Sequence, residues 1–529
     1  MSASMYRSAG PWIMAAALAG AASLVAAQEA RAQDTRLVVE AAATQDGEAV
    51  RVLIEEGADV DAPWADGSTA LLWAAHWGDI EMTDLLLVAG GNVNAADDHG
   101  VTPLDRAAEN ASPAMVERLL AAGADANTAR TSGLTPLMVA ARTGSLPVVD
   151  ALLANGAQVN ARTGAANGSA LMWAVAGAHA DVARALLDAG AEPGTSTADG
   201  FTPLLFAAAN GDIPMAETLI AAGVDVNDTG ADGTHALPYA IANGQDEFAR
   251  FLLRRGADPN GAIGGIRALH VAAGNVGTWL GDWSRGHGYG GRFRGRSLAP
   301  NRRLALVQAL LERGADVNGR ITTSAMFMSY IGHPTKGAFE GFSTGTGDLR
   351  GATPLWVAAY AANAAGGGGA IEIIRTLLAA GADQHLTTDD GTTPFMVAAG
   401  LGRATYTPRE PRGVRSESAE AAVRILLEAG ADINAANEAD FTALHGAAYR
   451  GLNEVIEYLV AEGAAIDARD FRGRTPYRIA EGTKQSFQFQ SWPESAALLE
   501  RLGANTRLGI PGTVQEKIRD VPAATNDQF

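Results

Sequence analysis

One phrase recurs along this chain: a Thr-Pro-Leu-like start, an Ala pair, then a Leu-Leu run that ends in Gly-Ala. Its clearest copy is Thr135-Pro136-Leu137-Met138-Val139-Ala140-Ala141, followed by Val148-Val149 and Leu152-Leu153, then Gly156-Ala157. The position of Thr135 recurs at Thr69, Thr102, Ser169, Thr202, His235, Arg267, Thr353, Thr393, Thr442 and Thr475. The first six spacings are 33, 33, 34, 33, 33 and 32 residues, and the last four are 86, 40, 49 and 33. A fixed period of this length marks stacked supersecondary units. A chain of 529 residues would otherwise split into several domains. A stack simply lengthens, because each unit touches only its neighbours.

The physics of one unit is legible. Thr102 or Thr135 is a good helix N-cap, its hydroxyl accepting from the backbone N–H groups that open the helix. Pro103 or Pro136 follows at the first helical position, where a missing N–H costs nothing. The Ala pair keeps this first helix thin. Val148-Val149 and Leu152-Leu153, four residues apart, give a second helix one apolar stripe. Gly156 stands where that helix should end in a left-handed conformation. A short hairpin finger with Asn/Asp/Gly turn chemistry, as in Asp199-Gly200 and Asp232-Gly233, leads to the next unit.

These units resemble ankyrin repeats, whose pattern carries Thr-Pro-Leu-His and Gly-Ala-Asp-Val-Asn. The resemblance spans roughly residues 34–505 and implies an all-α, ankyrin-repeat solenoid of helix pairs with short hairpin fingers. The His of the motif stands only at His270 and His445, which read as hydrogen-bonded scaffold residues. Leu72, Asp105, Met138, Met172, Leu205, Pro238, Trp356, Met396 and Arg478 replace it elsewhere, which should weaken the local hydrogen bonding.

Residues 1–32 read as a secretory signal. Arg7 supplies a positive start, residues 11–27 are apolar, and small-residue cleavage sites precede Gln28 and Gln33, the second being favoured. A retained anchor is the alternative. Export without any cysteine points to a periplasmic or secreted protein of bacterial type, and it excludes disulfides, thiolate metal sites and a Cys nucleophile. The net charge of −19 disfavours nucleic acid or anionic membrane as a nonspecific partner.

Residues 33–505 form the expected solenoid, with a polar N-terminal cap over 33–65. Residues 506–529 read as a mostly disordered tail. In a regular unit the Thr position lies 21 residues before the helix-ending Gly, which lies 12 before the next Thr position. Against that frame there are about 26 extra residues between Arg267 and Gly314, 27 between Gly314 and Thr353, 7 after Thr353, 16 after Thr393 and 7 after Thr475. The insertions fall at 276–301, 319–350, 361–369, 401–418 and 482–493, and the repeat resumes in phase after each. Loops grafted on a scaffold often carry function.

The insertion after Arg267 is the most unusual. Arg285, Arg292, Arg294, Arg296, Arg302 and Arg303 stand with no intervening acid, interleaved with Trp279, Trp283, Tyr289 and Phe293. Arginine with aromatics suits anionic or planar ligands, and the same stretch could instead fold back on the protein's own acidic surface. Gly286 to Gly291 fits G-x-G-x-x-G, but lacks the flanking strand and helix that a dinucleotide site needs. Gly341-Phe342-Ser343-Thr344-Gly345 fits G-x-S-x-G, with His333 and Asp348 near in sequence, but no sheet is expected around it. The nine histidines are scattered, so neither a metal nor any cofactor is expected.

The resemblance implies a concave face lined by finger tips and by the two residues after each Ala pair. Those are His76-Trp77, Glu109-Asn110, Arg142-Thr143, Ala209-Asn210, Tyr360 and Tyr449-Arg450, with Asp66, Asp98, His99, Phe201 and Phe441 in the fingers. Trp, Tyr and Arg are the types that most often anchor interfaces. The reading is a monomeric, non-enzymatic protein-interaction scaffold of the cell envelope or exterior, with no nucleic-acid partner and no membrane insertion after signal cleavage. The alternatives are polyanion or small-ligand binding through Trp279, Trp283, Arg292, Phe293, Arg294 and Arg296, and a hydrolase with its site in the insertions.

Overall fold

The unit around Thr135 shows why this sequence makes helix pairs. The Thr135 hydroxyl accepts from the Met138 amide at 3.3 Å and opens the helix Pro136–Thr143. Gly144, at φ 76°, stops that helix in the left-handed region and turns the chain into Leu146–Ala154. Val148, Val149 and Leu152 are fully buried there. Each such side chain contributes about 1.5–3 kcal/mol over leaving it in water. Gly156, at φ 82°, donates to Leu153 O, and Ala157 donates to Leu152 O, so the last carbonyls of the helix are satisfied.

The computed structural model describes residues 38–277, 279–287, 298–323, 349–363, 369–401, 416–485 and 488–509. The same grammar runs through them. Thr69, Thr102, Ser169, Thr202, Thr353, Thr393 and Thr475 each cap a first helix through the side chain. His235 and Arg267, which lack a hydroxyl, make no such cap. The chain divides into two compact units, 1–198 with 214–224, and 199–213 with 225–529.

Asparagines tie neighbouring repeats within each unit. Asn94 accepts from the Asp125 amide at 2.8 Å and donates to Gly123 O at 3.2 Å. Asn127 does the same with Gln158 and Gly156, and Asn160 with Glu192 and Gly190. In the second unit Asn227, Asn260, Asn318 and Asn434 repeat the pattern. Asn260 reaches Asp316 and Asn318 reaches Asp383, both at 2.8 Å, across 56 and 65 residues of chain. The inserted segments therefore leave the rung geometry unchanged.

Two expectations change in detail. The segment 482–493, read as a loop, contains an antiparallel hairpin, Thr483–Gln485 with Gln488–Gln490. The segment 276–301 contains a short helix, Gly281–Gly286, and then leads into a lengthened second helix, Pro300–Glu312. One finger is itself a two-stranded hairpin, Ala262–Ile263 with Ile266–Arg267. Its two turn residues, Gly264 and Gly265, both have positive φ (52° and 78°), as a turn matched to strand twist requires.

The position of the motif His keeps more polar bonding than the sequence suggested. His445 accepts from the Thr442 amide through Nδ1 at 3.1 Å, so its Nε2–H faces Arg474 O at 3.3 Å. His270 Nε2 lies 3.0 Å from Gly319 O and 3.1 Å from Ala352 O. Asp105 substitutes fully: it accepts from the Thr102 amide and hydroxyl and from Arg130 Nε at 3.2 Å, joining its helix to the next finger. Arg478 does likewise through Leu508 O at 3.1 Å. Where Leu72, Met138, Met172 and Leu205 stand, buried apolar packing takes over.

Candidate functional site

In the helix Ala70–Trp77 the fourth residue lies one turn before the seventh and eighth, so the three share a face. In the first unit this face is aromatic and charged. Trp73, His76 and Trp77 come from one helix. Trp64, from the finger before it, meets Trp73 edge-on at 5.5 Å. Trp73 and Trp77 are near-parallel at 6.1 Å, and His76 meets both rings edge-on at 5.5 and 4.7 Å. Trp77 is 43% exposed even though its Nε1 donates to Ala43 O at 3.2 Å.

A carboxylate sits at the edge of these rings. The Ser68 hydroxyl accepts from Trp73 Nε1 at 3.3 Å and donates to Asp66 at 2.6 Å. Those bonds from Ser68, hydroxyl first and amide second, hold the Asp66 carboxyl below its usual range. The Asp98 amide donates to Asp66 O at 2.9 Å, which places two exposed acidic finger tips side by side.

The next repeats carry an ion-pair network. Glu109 lies 3.1 Å from Arg106, 3.3 Å from Arg142 and 3.6 Å from Arg130. Arg130 also pairs with buried Asp105, whose carboxyl is raised by burial despite that partner. Arg142 in turn lies over the Trp173 ring, 5.8 Å from its centroid.

The remaining expected contact residues divide between surface and scaffold. Asn110 donates to His76 O at 2.6 Å and Thr143 to Ala140 O at 2.9 Å, so both close helix ends. Ala209 O accepts from Gln245 Nε2 at 3.1 Å, beside exposed Asn210. Arg450 is half-buried. Tyr449 is only 5% exposed, and Trp492 from the following repeat donates to its carbonyl at 2.8 Å. Phe201 and Phe441 are also buried, at 5% and 1%, so these three residues lie beneath the surface on which the sequence placed them.

Two aromatics of the long insertion, Trp279 and Trp283, fold inward as well, while Tyr289 lies outside the described residues. Trp283 Nε1 donates to Asp232 and Thr234, both at 2.8 Å, and its ring lies 5.5 Å from Tyr239 and 6.2 Å from Phe201. His287 stacks on Trp283 at 4.2 Å, with Nε2 3.4 Å from Asp232. Trp279 packs on Trp356 and on half-buried Tyr360, which are themselves parallel at 5.7 Å. Trp279 and Trp283 are 3% and 8% exposed and offer no open ring face. Arg302 forms a two-pronged bond to Asp246. Arg303 donates to the carbonyls of Val271, Ala272 and Gly274, and burial lowers its pKa. Arg292, Phe293, Arg294 and Arg296, the Gly341–Gly345 motif with His333 and Asp348, and residues 1–32 lie outside the described residues.

The sequence reading missed Trp64, Trp73 and Trp173. The signal was present: Trp73 lies three residues before His76, one helical turn away on the same face. Among the described residues no group of three or more His, Cys, Asp or Glu is placed to hold a metal ion, and no helix is long and apolar enough to cross a membrane.

Capped helix pairs, hairpin fingers and asparagine rungs define an all-α repeat scaffold. The chain belongs to the ankyrin-repeat family. Ankyrin-repeat models match residues 38–130, 106–197, 171–263, 350–389 and 426–480, together more than half of the chain. Among curated proteins the chain is similar to alpha-latroinsectotoxin-Lt1a of Latrodectus tredecimguttatus, 32% identical over 27% of this chain and 8% of that protein. It is also similar to the BRCA1-associated RING domain protein 1 of Caenorhabditis elegans, 32% identical over 25% of this chain and 15% of that one. A third match is a transient receptor potential cation channel subfamily A member 1 homolog of the same organism, 31% identical over 20% and 7%. The likeness covers only a small part of each relative and is a likeness of repeats. Ankyrin repeats are a non-catalytic protein-interaction fold.

Proposed function

We propose that this chain is an exported protein-interaction scaffold that holds a partner protein on the finger-side face of its first unit. The observation that carries the choice of face is exposure. The second unit's equivalent surface around Phe201, Tyr239 and Trp356 is covered by the chain's own Trp279, Trp283 and His287, and its exposed finger aromatic, Phe471, already carries Arg472 over its ring at 5.2 Å. The first unit keeps Trp77, Asp66 and Asp98 open. Rigid helix pairs present these groups with little ordering cost on binding. Export rests on the leader-like composition of residues 1–32.

The test is affinity capture from envelope and culture-supernatant extracts with wild type, Trp77→Ala and a deletion of 279–300 side by side. A partner retained by the deletion and lost with Trp77→Ala supports this surface. A partner lost only with the deletion moves recognition to the insertion. Export is tested separately by cell fractionation, where a chain found only in the cytoplasm overturns it, and N-terminal sequencing then separates a cleaved leader from a retained anchor.

A further inference from the structure

The open face of the first unit has a chemistry that selects its occupant. From Val38 to Gly100 the sequence holds thirteen Asp and Glu against one basic residue, Arg51, and no Lys. The rings of Trp64, Trp73, His76 and Trp77 lie within that stretch. Asp66 reaches Trp73 through one shared hydroxyl, and Asp98 stands on the adjacent finger tip. Arginines pair with three of these acids, Arg51 with Glu48, Arg118 with Asp84 and Arg106 with Asp97, and Arg130 and Arg142 are held by Asp105 and Glu109, but among the described residues no ion pair engages Asp66 or Asp98. The same face shows what a cation does there: Arg142 already lies over the Trp173 ring. Positive charge over an indole face is attracted by the ring quadrupole, and a flanking carboxylate adds to that attraction.

We propose that this surface binds a cationic segment of a partner protein, with basic side chains of that segment over the exposed Trp77 ring and beside the Asp66 and Asp98 carboxylates. The proposal rests on the interaction reading above and names its partner's chemistry. A neutral apolar segment would leave both finger carboxylates without a counter-charge at the contact, and an acidic one would be repelled.

The experiment is fluorescence-detected binding of two short synthetic peptides to the full chain, one alternating Arg and Gly, the other Glu and Gly. The Arg peptide should bind, and more weakly as ionic strength rises. Trp77→Ala should weaken it about tenfold, a loss of roughly 1.4 kcal/mol. The double change Asp66→Asn and Asp98→Asn should do the same, and it leaves the fold intact because an amide oxygen still accepts from Ser68. The control removes equal charge elsewhere, at exposed Glu312 and Glu500 of the second unit, both to Gln, and should leave binding unchanged. Equal weakening by the control, or indifference to Trp77→Ala, overturns the proposal. A Glu peptide that binds and is weakened by Trp77→Ala overturns the cationic occupant alone, and the interaction surface stands.

Discussion

A histidine buried away from water makes the stability of the fold depend on pH. Burial lowers His270 and His445 to about 4 from an ordinary 6.5, the bonds from backbone carbonyls only partly opposing it. Arg267 faces the first, and Asp470 and Arg474 the second. Below pH 6.5 the unfolded chain binds protons that the folded chain refuses until about pH 4. Stability is therefore complete above pH 6.5 and falls as pH drops through that window. The loss is at most about 1.4 kcal/mol per pH unit for each histidine. Urea melts between pH 7 and 4.5 should show this slope, and His270→Gln or His445→Gln should reduce it. An unchanged slope in both variants would contradict the assignment. The sequence identified both residues as scaffold, because the repeat pattern names that position. It did not show that Asp105 restores the same bonding, since Arg130 lies 25 residues away.

At the scale of elements, what was legible is what the local backbone dictates. Thr135, Pro136 and Gly156 set helix starts and stops through their own chemistry, and the structure uses them so. What was not legible depends on where an inserted segment goes. Trp283 finds Asp232 and Thr234, 51 and 49 residues earlier, and no spacing rule reports that. The same holds for Tyr449, whose carbonyl accepts from a tryptophan 43 residues later. The insertion's helix is thus part of the second unit's packing. Trp283→Ala should cost about 3–5 kcal/mol by chemical denaturation, the range for a buried aromatic. A loss under about 1 kcal/mol would show that the helix is dispensable to the unit.

For the whole molecule the decisive property is the uneven placement of charge and exposure. The chain carries −19, and thirteen of its acids lie between Val38 and Gly100 around an open tryptophan surface. The long insertion, the most basic stretch of the sequence, turns Trp279, Trp283 and Arg303 inward. The most direct measurement of the central claim is amide hydrogen exchange on the full chain with and without its captured partner. New protection should fall in residues 64–77 and 98–110. Protection confined to residues 279–312, with 64–110 unchanged, would contradict the account and place recognition on the insertion.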